Sequence, residues 1–483
     1  MPPKGAVSEV AAAALDGFFL PGLDPADVAD WAETPLAGLD TVVRHPLLDG
    51  EATALVWGRL RAARVVRLSG APLGDTAPTL AEAAARLVSA AREEPWRAAI
   101  AAQFGLSPDM LDHVLENMAR GWTARAFSGL VAAEFGEANV VTRFAEDPSR
   151  PGVLHRPVAE DVIFHVLAGN VPGVGVTALA RALLVGSSAF ARAARSGSLL
   201  PALFARCLAA TDPALAACVA TTWWPGGDAD AERALLVRAR LVVVYGGAEA
   251  VSAIRARARA ETRVVVHGPG VSVGMVSADA LASERVDRTA EAAALALATF
   301  DQRGCTSPVA FLVERADAAS TGTFCEALGR RLTELSRAMP PGPPHPPEAA
   351  RRRQVIEAAE MRAARSDGGS SAPGPPIEGP GFCLIPTFRL EPSDFCVGRT
   401  VQVLEVADLE DAAEQLDPLA GALQTVGYAG DPAGIDRIAD RLAALGVSRI
   451  TTLDAMPWPP PAWRHDGAHP LRELVRWSDL ERA

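Results

Sequence analysis

A chain of 483 residues is too long for one compact core, and its hydrophobic share of 49 % with 22 % charged residues excludes disorder of the whole chain. A formal charge of −12 argues against a general binder of nucleic acid or anionic membrane, because phosphates repel an acidic surface. Lys4 is the only lysine, so the folded body offers neither a Schiff-base amine nor a P-loop lysine.

Residues 1–130 read as a helical N-terminal region, with Ala, Leu and Arg recurring at three- and four-residue intervals in AEAAARLVSAAREEPWRAAIAAQFG (81–105). After residue 150 short apolar runs alternate with helical stretches: VIFHVLAG (162–169), SSAFARAA (187–194), CVATTWW (218–224), LVVVYGG (241–247) and VVVHG (264–268). Strands separated by helices of this length predict βαβ units and a parallel, doubly wound α/β sheet. The Ala-rich helix EAAALALATF (291–300) runs into DQRGCTSP (301–308). PPGPPHPPEAA (340–350) and SDGGSSAPGPPIEGPG (366–381) have loop composition. A strand TVQVLEV, then LQTVGYA (423–429), a helix (435–446) and SRITTLD (448–454) complete a second α/β region.

The expected division is a helical region over 1–130 packing on a Rossmann-type cofactor domain over 161–264. A smaller α/β catalytic domain over 265–445 and a C-terminal segment over 446–483 follow. The six cysteines form no CxxC pair and no close Cys/His spacing, so no structural metal is expected. No apolar run reaches the roughly 18 residues of a spanning helix, and the N-terminus lacks a signal-peptide pattern. A cytoplasmic protein with reduced thiols is expected.

Cys305 follows a glycine at the end of a helix, and Pro308 prevents helical continuation. A thiol on such a turn is open to close approach, and a thiolate is a far better nucleophile than a hydroxyl. Taken alone, a lone cysteine is more often a small buried hydrophobe.

The blocks HVLAGNVPG (165–173), VVYGG (243–247), VVHGPGVS (265–272) and DQRGCTSP (301–308) occur in an order and spacing that resemble the LuxC-type acyl-CoA reductases of the aldehyde dehydrogenase superfamily. The tail WRHDGAHPLRELVRWSDLE (463–481) is similar to that family too, and the resemblance covers roughly residues 138–483. It implies an aldehyde dehydrogenase-like fold. Cys305 would be the nucleophile that takes up an acyl group as a thioester, and the Asn170 amide a member of the oxyanion hole. Gly246 and Gly247 would form the loop against which the cofactor pyrophosphate lies. The resemblance also implies a hairpin near 131–160 that pairs subunits, hence a homo-oligomer. Acyl-CoA or an acyl carrier would be the donor, with acyl-transferase or acyl-protein synthetase partners.

Two departures from ordinary aldehyde dehydrogenases stand out. His267 occupies the position of the glutamate that activates water in those enzymes, which suits an acyl-enzyme passed to hydride. A histidine can also act as a base near neutral pH, so an aldehyde-oxidising enzyme stays open. Arg192 matches the lysine that meets the adenosine ribose, and Arg195 follows it. Two planar cations there favour a 2′-phosphate, hence NADPH, with NADH as the other cofactor. A non-catalytic subunit that retains the fold is the third reading.

Overall fold

The computed structural model describes residues 13–481 apart from Pro25, Asp27, 137–142, Pro148, 227–229 and 366–373. Lys4, part of the 131–160 segment and the first half of the loop-like 366–381 stretch lie outside the described residues.

Two parallel sheets organise the chain. The first has five strands, in the spatial order Arg263–His267, Leu241–Tyr245, Val162–Val166, Ser188–Arg192 and Val219–Thr222, all parallel. Runs such as LVVVY and VIFHV are apolar at nearly every position because both faces of this sheet are covered. Helix Gly50–Arg67 lays Val56, Trp57 and Leu60 against Phe164, Phe190 and Val242 on one face. Helices Ala77–Ala91, Trp96–Phe104, Pro108–Ala119 and Ala124–Phe135 join the core of the other face, with Ile163, Ala189 and Val243. Leu80, Leu87 and Ile100 are fully buried there, each stabilising by roughly 1.5–3 kcal/mol.

The second sheet has seven strands, ordered Ile377–Gly379, Phe382–Thr387, Thr400–Val406, Pro308–Glu314, Val271–Val276, Leu423–Ala429 and Arg449–Thr452. All neighbours are parallel except the outermost hairpin of Ile377–Gly379 with Phe382–Thr387. It is wider than the first sheet. The passage between them is the short segment Gly268–Gly270, which leaves strand Arg263–His267 and enters Val271–Val276.

Two expectations need correction. Residues 13–46 are not helical: Ala13–Asp16 pairs parallel with Thr41–Pro46, which pairs antiparallel with Trp31–Pro35. These strands are four to six residues long. AALD carries no alternation that local periodicity could detect, and its partner lies well downstream. The division between the two α/β bodies falls after His267 rather than at 264/265. The second body runs to Thr452 rather than 445, because strand membership is decided by pairing across the sheet. Within the 131–160 segment, Ala145–Glu146 pairs antiparallel with Val153–Ala159, and the C-terminal strand Val475–Glu481 pairs with the other side of Val153–Ala159. Residues 131–135 belong instead to helix Ala124–Phe135. That pairing joins segments more than three hundred residues apart and leaves no local trace.

Candidate active site

A cleft of about 620 Å³ opens where the two sheets meet. Cys305, Asn170, His267, Gly246 and Gly247 all line it. Their convergence follows from topology. Asn170 and the glycine pair follow neighbouring strands of the first sheet, and His267 ends that sheet's outer strand. Cys305 sits three residues before a central strand of the second. Arg192 and Arg195 end or follow strand Ser188–Arg192 and are not part of the cleft wall.

The turn that carries Cys305 is held from several sides. The Ser272 hydroxyl donates to the Cys305 carbonyl at 2.7 Å and accepts from the Thr425 N–H at 3.2 Å. The Asn170 amide donates to the Arg303 carbonyl at 2.8 Å. An amide nitrogen has two hydrogens, so this bond fixes the plane of Asn170 and leaves the second hydrogen free to donate within the cleft that Cys305 also lines. Arg303 itself is tied to Glu348 at 2.8 Å and to the Gly105 carbonyl at 3.1 Å.

Burial pushes the Cys305 thiol up to about 12, and the nearby Asp466 charge pushes in the same direction. The backbone of Cys305 and Thr306 and the Gln424 side chain oppose the shift by hydrogen bonding. A thiol so placed is a poor nucleophile until a base removes its proton.

His267, singled out in the sequence, has neighbours that the sequence reading passed over. His267 Nδ1 lies 3.6 Å from an Asp466 carboxylate oxygen, and His465 Nε2 lies 3.8 Å from the same oxygen. The Gln424 amide donates to the other Asp466 oxygen at 2.8 Å. A carboxylate facing Nδ1 favours the tautomer with the proton on Nδ1, which leaves Nε2 as the basic nitrogen. The rings of Tyr245, His267, His465 and Trp463 form a continuous stack, with successive centroids 4.5–4.6 Å apart. Burial lowers His465 to about 4, with the neighbouring His267 acting in the same direction, so it is a neutral ring at physiological pH. Burial alone would raise the Asp466 carboxyl. The adjoining imidazoles and Gln424 outweigh it and hold the group below the usual carboxylate range.

Ligand-type atoms of His267, His465 and Asp466 lie within 4.8 Å of one another. The two imidazole planes differ by only 11°. The two rings are therefore stacked, with one nitrogen of each turned to the same Asp466 oxygen. The signal in the sequence was the pair HD within WRHDG, quoted above only as part of a family-like tail. Nothing local distinguishes it.

One side of the cleft is apolar. Met118, Trp122, Phe127, Leu130 and Trp458 form a wall on the side of the N-terminal helices. Gly173, at φ 89°, opens helix Val174–Leu184, and a Cβ there would lie 2.2 Å from the Met118 sulfur. Only glycine permits both the left-handed backbone and this close approach.

The residues present fit a dinucleotide. Gly247 caps helix Ala248–Arg257 without a side-chain hydrogen bond, so the first N–H groups of that helix are free, and a Cβ on Gly247 would meet nothing within 4 Å. Arg195 is exposed, lies 5.8 Å over the Trp223 ring and donates to Thr34 of the N-terminal sheet. Arg192 donates to the Trp224 carbonyl and sits 3.8 Å from the buried Glu232, whose other oxygen pairs with Arg257 at 2.6 Å. Arg192 is thus partly committed within the protein, and Arg195 is the more available cation.

A family model described as "Acyl-CoA reductase (LuxC)" matches residues 71–477. No curated protein sequence matches the chain. Among solved structures, aldehyde dehydrogenase 21 from Physcomitrella patens in complex with succinate is similar, with a TM-score of 0.73, at 14 % identity over 98 % of each chain. An aldehyde dehydrogenase from Mycobacterium tuberculosis complexed with NAD+ gives a TM-score of 0.71 at 15 % identity, covering 98 % of this chain and 99 % of that one. The NADP-dependent glyceraldehyde-3-phosphate dehydrogenase from Bacillus halodurans C-125, complexed with NADP, gives 0.67 at 14 % identity over 95 % and 97 %. The chain has the aldehyde dehydrogenase fold.

Proposed function

The chain belongs to the LuxC acyl-CoA reductase family, and on that premise we propose that it reduces an activated acyl thioester, with a fatty chain as the acyl group, to an aldehyde through an acyl group carried on Cys305. The observation that carries this reading is the meeting of the Cys305 thiol, the Asn170 amide and the His267–Asp466 pair at one end of an apolar-walled cleft.

His267 Nε2 takes the proton of the Cys305 thiol. The thiolate sulfur forms a bond to the thioester carbonyl carbon, while Asn170 donates to the developing oxyanion in a partly dry site where such a bond is worth most. The bond to the original sulfur breaks, and the departing thiolate takes the proton now held on His267. Asp466 stabilises the imidazolium between these two events. Gly246, Gly247 and the start of helix Ala248–Arg257 would hold the pyrophosphate of a nicotinamide cofactor, whose chemistry there would be donation of a hydride to the acyl carbon. The oxyanion that results on the cysteine-bound group is held by Asn170 and then collapses. The carbon–sulfur bond breaks, and aldehyde and Cys305 thiolate are released. The chain's contribution is positioning and electrostatics.

NADPH is our preferred cofactor, with Arg195 meeting the 2′-phosphate and Arg192 held alongside by Glu232. The acyl donor is coenzyme A or a carrier protein, and an acyl-transferase or synthetase would deliver it. A homo-oligomer paired through the 131–160 hairpin and the strand Val475–Glu481 that joins it, where Trp477 and Leu480 are exposed, completes the proposal. Among the described residues no helix is long and apolar enough to cross a membrane.

Oxidation of aldehydes is the second reading, favoured by the His267–Asp466 pair, since the same base could activate water. One experiment separates them. Mixing the protein with a long-chain acyl-CoA should give an acyl-sized gain in intact mass that is absent from Cys305→Ala, and NADPH should discharge it as aldehyde. Discharge as free acid at the same rate with or without NADPH would overturn the reductase reading.

A further inference from the structure

Immediately before Arg303-Gly304-Cys305 the backbone takes a path that L-residues avoid. Phe300, Asp301 and Gln302 have φ of 60°, 48° and 64°, three successive left-handed residues of which none is glycine. Each would relax to the right-handed or extended region unless its surroundings prevented it. Gln302 is fixed by its own side chain, which donates to the Pro308 and Thr400 carbonyls and accepts from the Thr400 N–H. Asp301 is fixed by Arg399.

Arg399 is fully buried and itself left-handed at φ 54°. Its Nε and Nη2 lie 2.9 and 2.7 Å from one Asp301 oxygen. Nη1 donates to the Ser336 hydroxyl and Nη2 to the Met339 carbonyl, each at 3.0 Å. The second Asp301 oxygen accepts from the Gly342 N–H at 2.9 Å, and the Asp301 carbonyl accepts from the Gly398 N–H at 3.2 Å. The pair therefore ties the nucleophile turn to three other pieces of chain: the end of helix Ser320–Ala338, the start of the Pro-rich segment and the turn before strand Thr400–Val406. Arg399 does not line the cleft.

We propose that Arg399, by clamping Asp301, is a positioning residue that holds the Phe300–Gln302 turn left-handed and so sets the Cys305 thiol against Asn170 and His267. This rests on the reading of Cys305 as the nucleophile. The argument is geometric. Asp301 is four residues from Cys305, so a return of one left-handed residue to the common basin displaces the thiol by more than an ångström. A displacement of that size costs about a hundredfold in rate where near-attack geometry matters. An ion pair serving stability alone would have no need of a left-handed turn at its centre.

The test uses the full chain in three forms: wild type, Asp301→Asn/Arg399→Gln, which keeps a neutral hydrogen-bonded pair without stranding a buried charge, and the milder Ser336→Ala. Each is treated with iodoacetamide, and alkylation of every cysteine is followed by peptide mass, beside the rate of acyl-enzyme formation from a long-chain acyl-CoA. The expected result is alkylation of Cys305 about tenfold faster in the double variant, while the buried Cys325 and Cys383 stay protected, and acyl transfer at least about tenfold slower. Ser336→Ala should shift both rates the same way by a smaller factor. If the double variant does not fold, Ser336→Ala carries the test. Unchanged reactivity of Cys305, or a parallel rise at all buried cysteines, overturns the clamp. Selective release of Cys305 in a protein that takes no acyl group even as wild type would keep the clamp and discard the reductase reading.

Discussion

Lowering the pH from 7.5 to 5 should weaken the folded state through histidines that are buried neutral. Besides His465, two histidines are held neutral mainly by burial: it lowers His45 to about 4, with Arg195 adding to the effect, and lowers His165 to about 3, with His267 adding to it. The unfolded chain titrates each near 6.5. Between 6.5 and the folded values the unfolded state binds the extra protons, so stability is present above 6.5 and is lost as the pH falls. At pH 5 each ring is about 1.5 units below its unfolded value, worth about 2 kcal/mol apiece. The two together remove about 4 kcal/mol, a large part of the 5–15 kcal/mol that typically holds a protein folded. Carboxylates with lowered values contribute only below about pH 4, outside this window. The assay is guanidinium unfolding at pH 7.5, 6 and 5, for wild type and for His45→Gln. Glutamine can keep the contact that His45 makes with the Ser198 hydroxyl at 2.8 Å but does not titrate. The loss between pH 7.5 and 5 should shrink by about 2 kcal/mol in the variant. Identical losses in the two proteins would refute the reasoning.

Asn170→Ala removes an oxyanion donor and the bond to the Arg303 carbonyl, so acyl-enzyme formation should slow by about 10²–10³ in stopped-flow measurements while acyl-CoA affinity changes little. Asp466→Asn should slow acyl transfer by about 10²-fold or more. It should also move the Cys305 titration downward from about 12, because the Asp466 charge is one of the causes holding it up; the ultraviolet absorbance of the thiolate reads this directly, and an unmoved midpoint would remove Asp466 from the site. Arg195→Gln should raise KM for NADPH by roughly tenfold and leave KM for NADH nearly unchanged, as expected for loss of one phosphate contact of about 1.4 kcal/mol. Equal effects on both cofactors would place Arg195 elsewhere than at the 2′-phosphate.

The alternation of apolar runs with helices announced the parallel α/β architecture, because strands covered on both faces need β-branched residues at nearly every position. The blocks around Asn170, Gly246 and Cys305 were legible for a related reason: each is a short turn whose residues are contiguous in the chain. The His267 block was legible as a position, although its partner was not. Asp466 lies about two hundred residues away and becomes its neighbour only when the C-terminal segment folds over the junction of the two sheets.

Nonlocal pairing accounts for most of what was missed. The strands between residues 13 and 46 are short, have helix-tolerant composition and are stabilised by partners rather than by propensity. Gln424 reads as an ordinary strand residue, yet its amide faces both Asp466 and the nucleophile. Arg399 reads as one more surface arginine in a chain rich in them, and it is fully buried against Asp301. By itself the sequence determined the fold class and the local turns that present the thiol, the amide and the glycine pair, since these depend on periodicity and on residues adjacent in the chain. Tertiary structure alone decided which partners surround His267, how far burial suppresses ionisation of the Cys305 thiol and what holds its turn left-handed, because each depends on groups that only folding brings together.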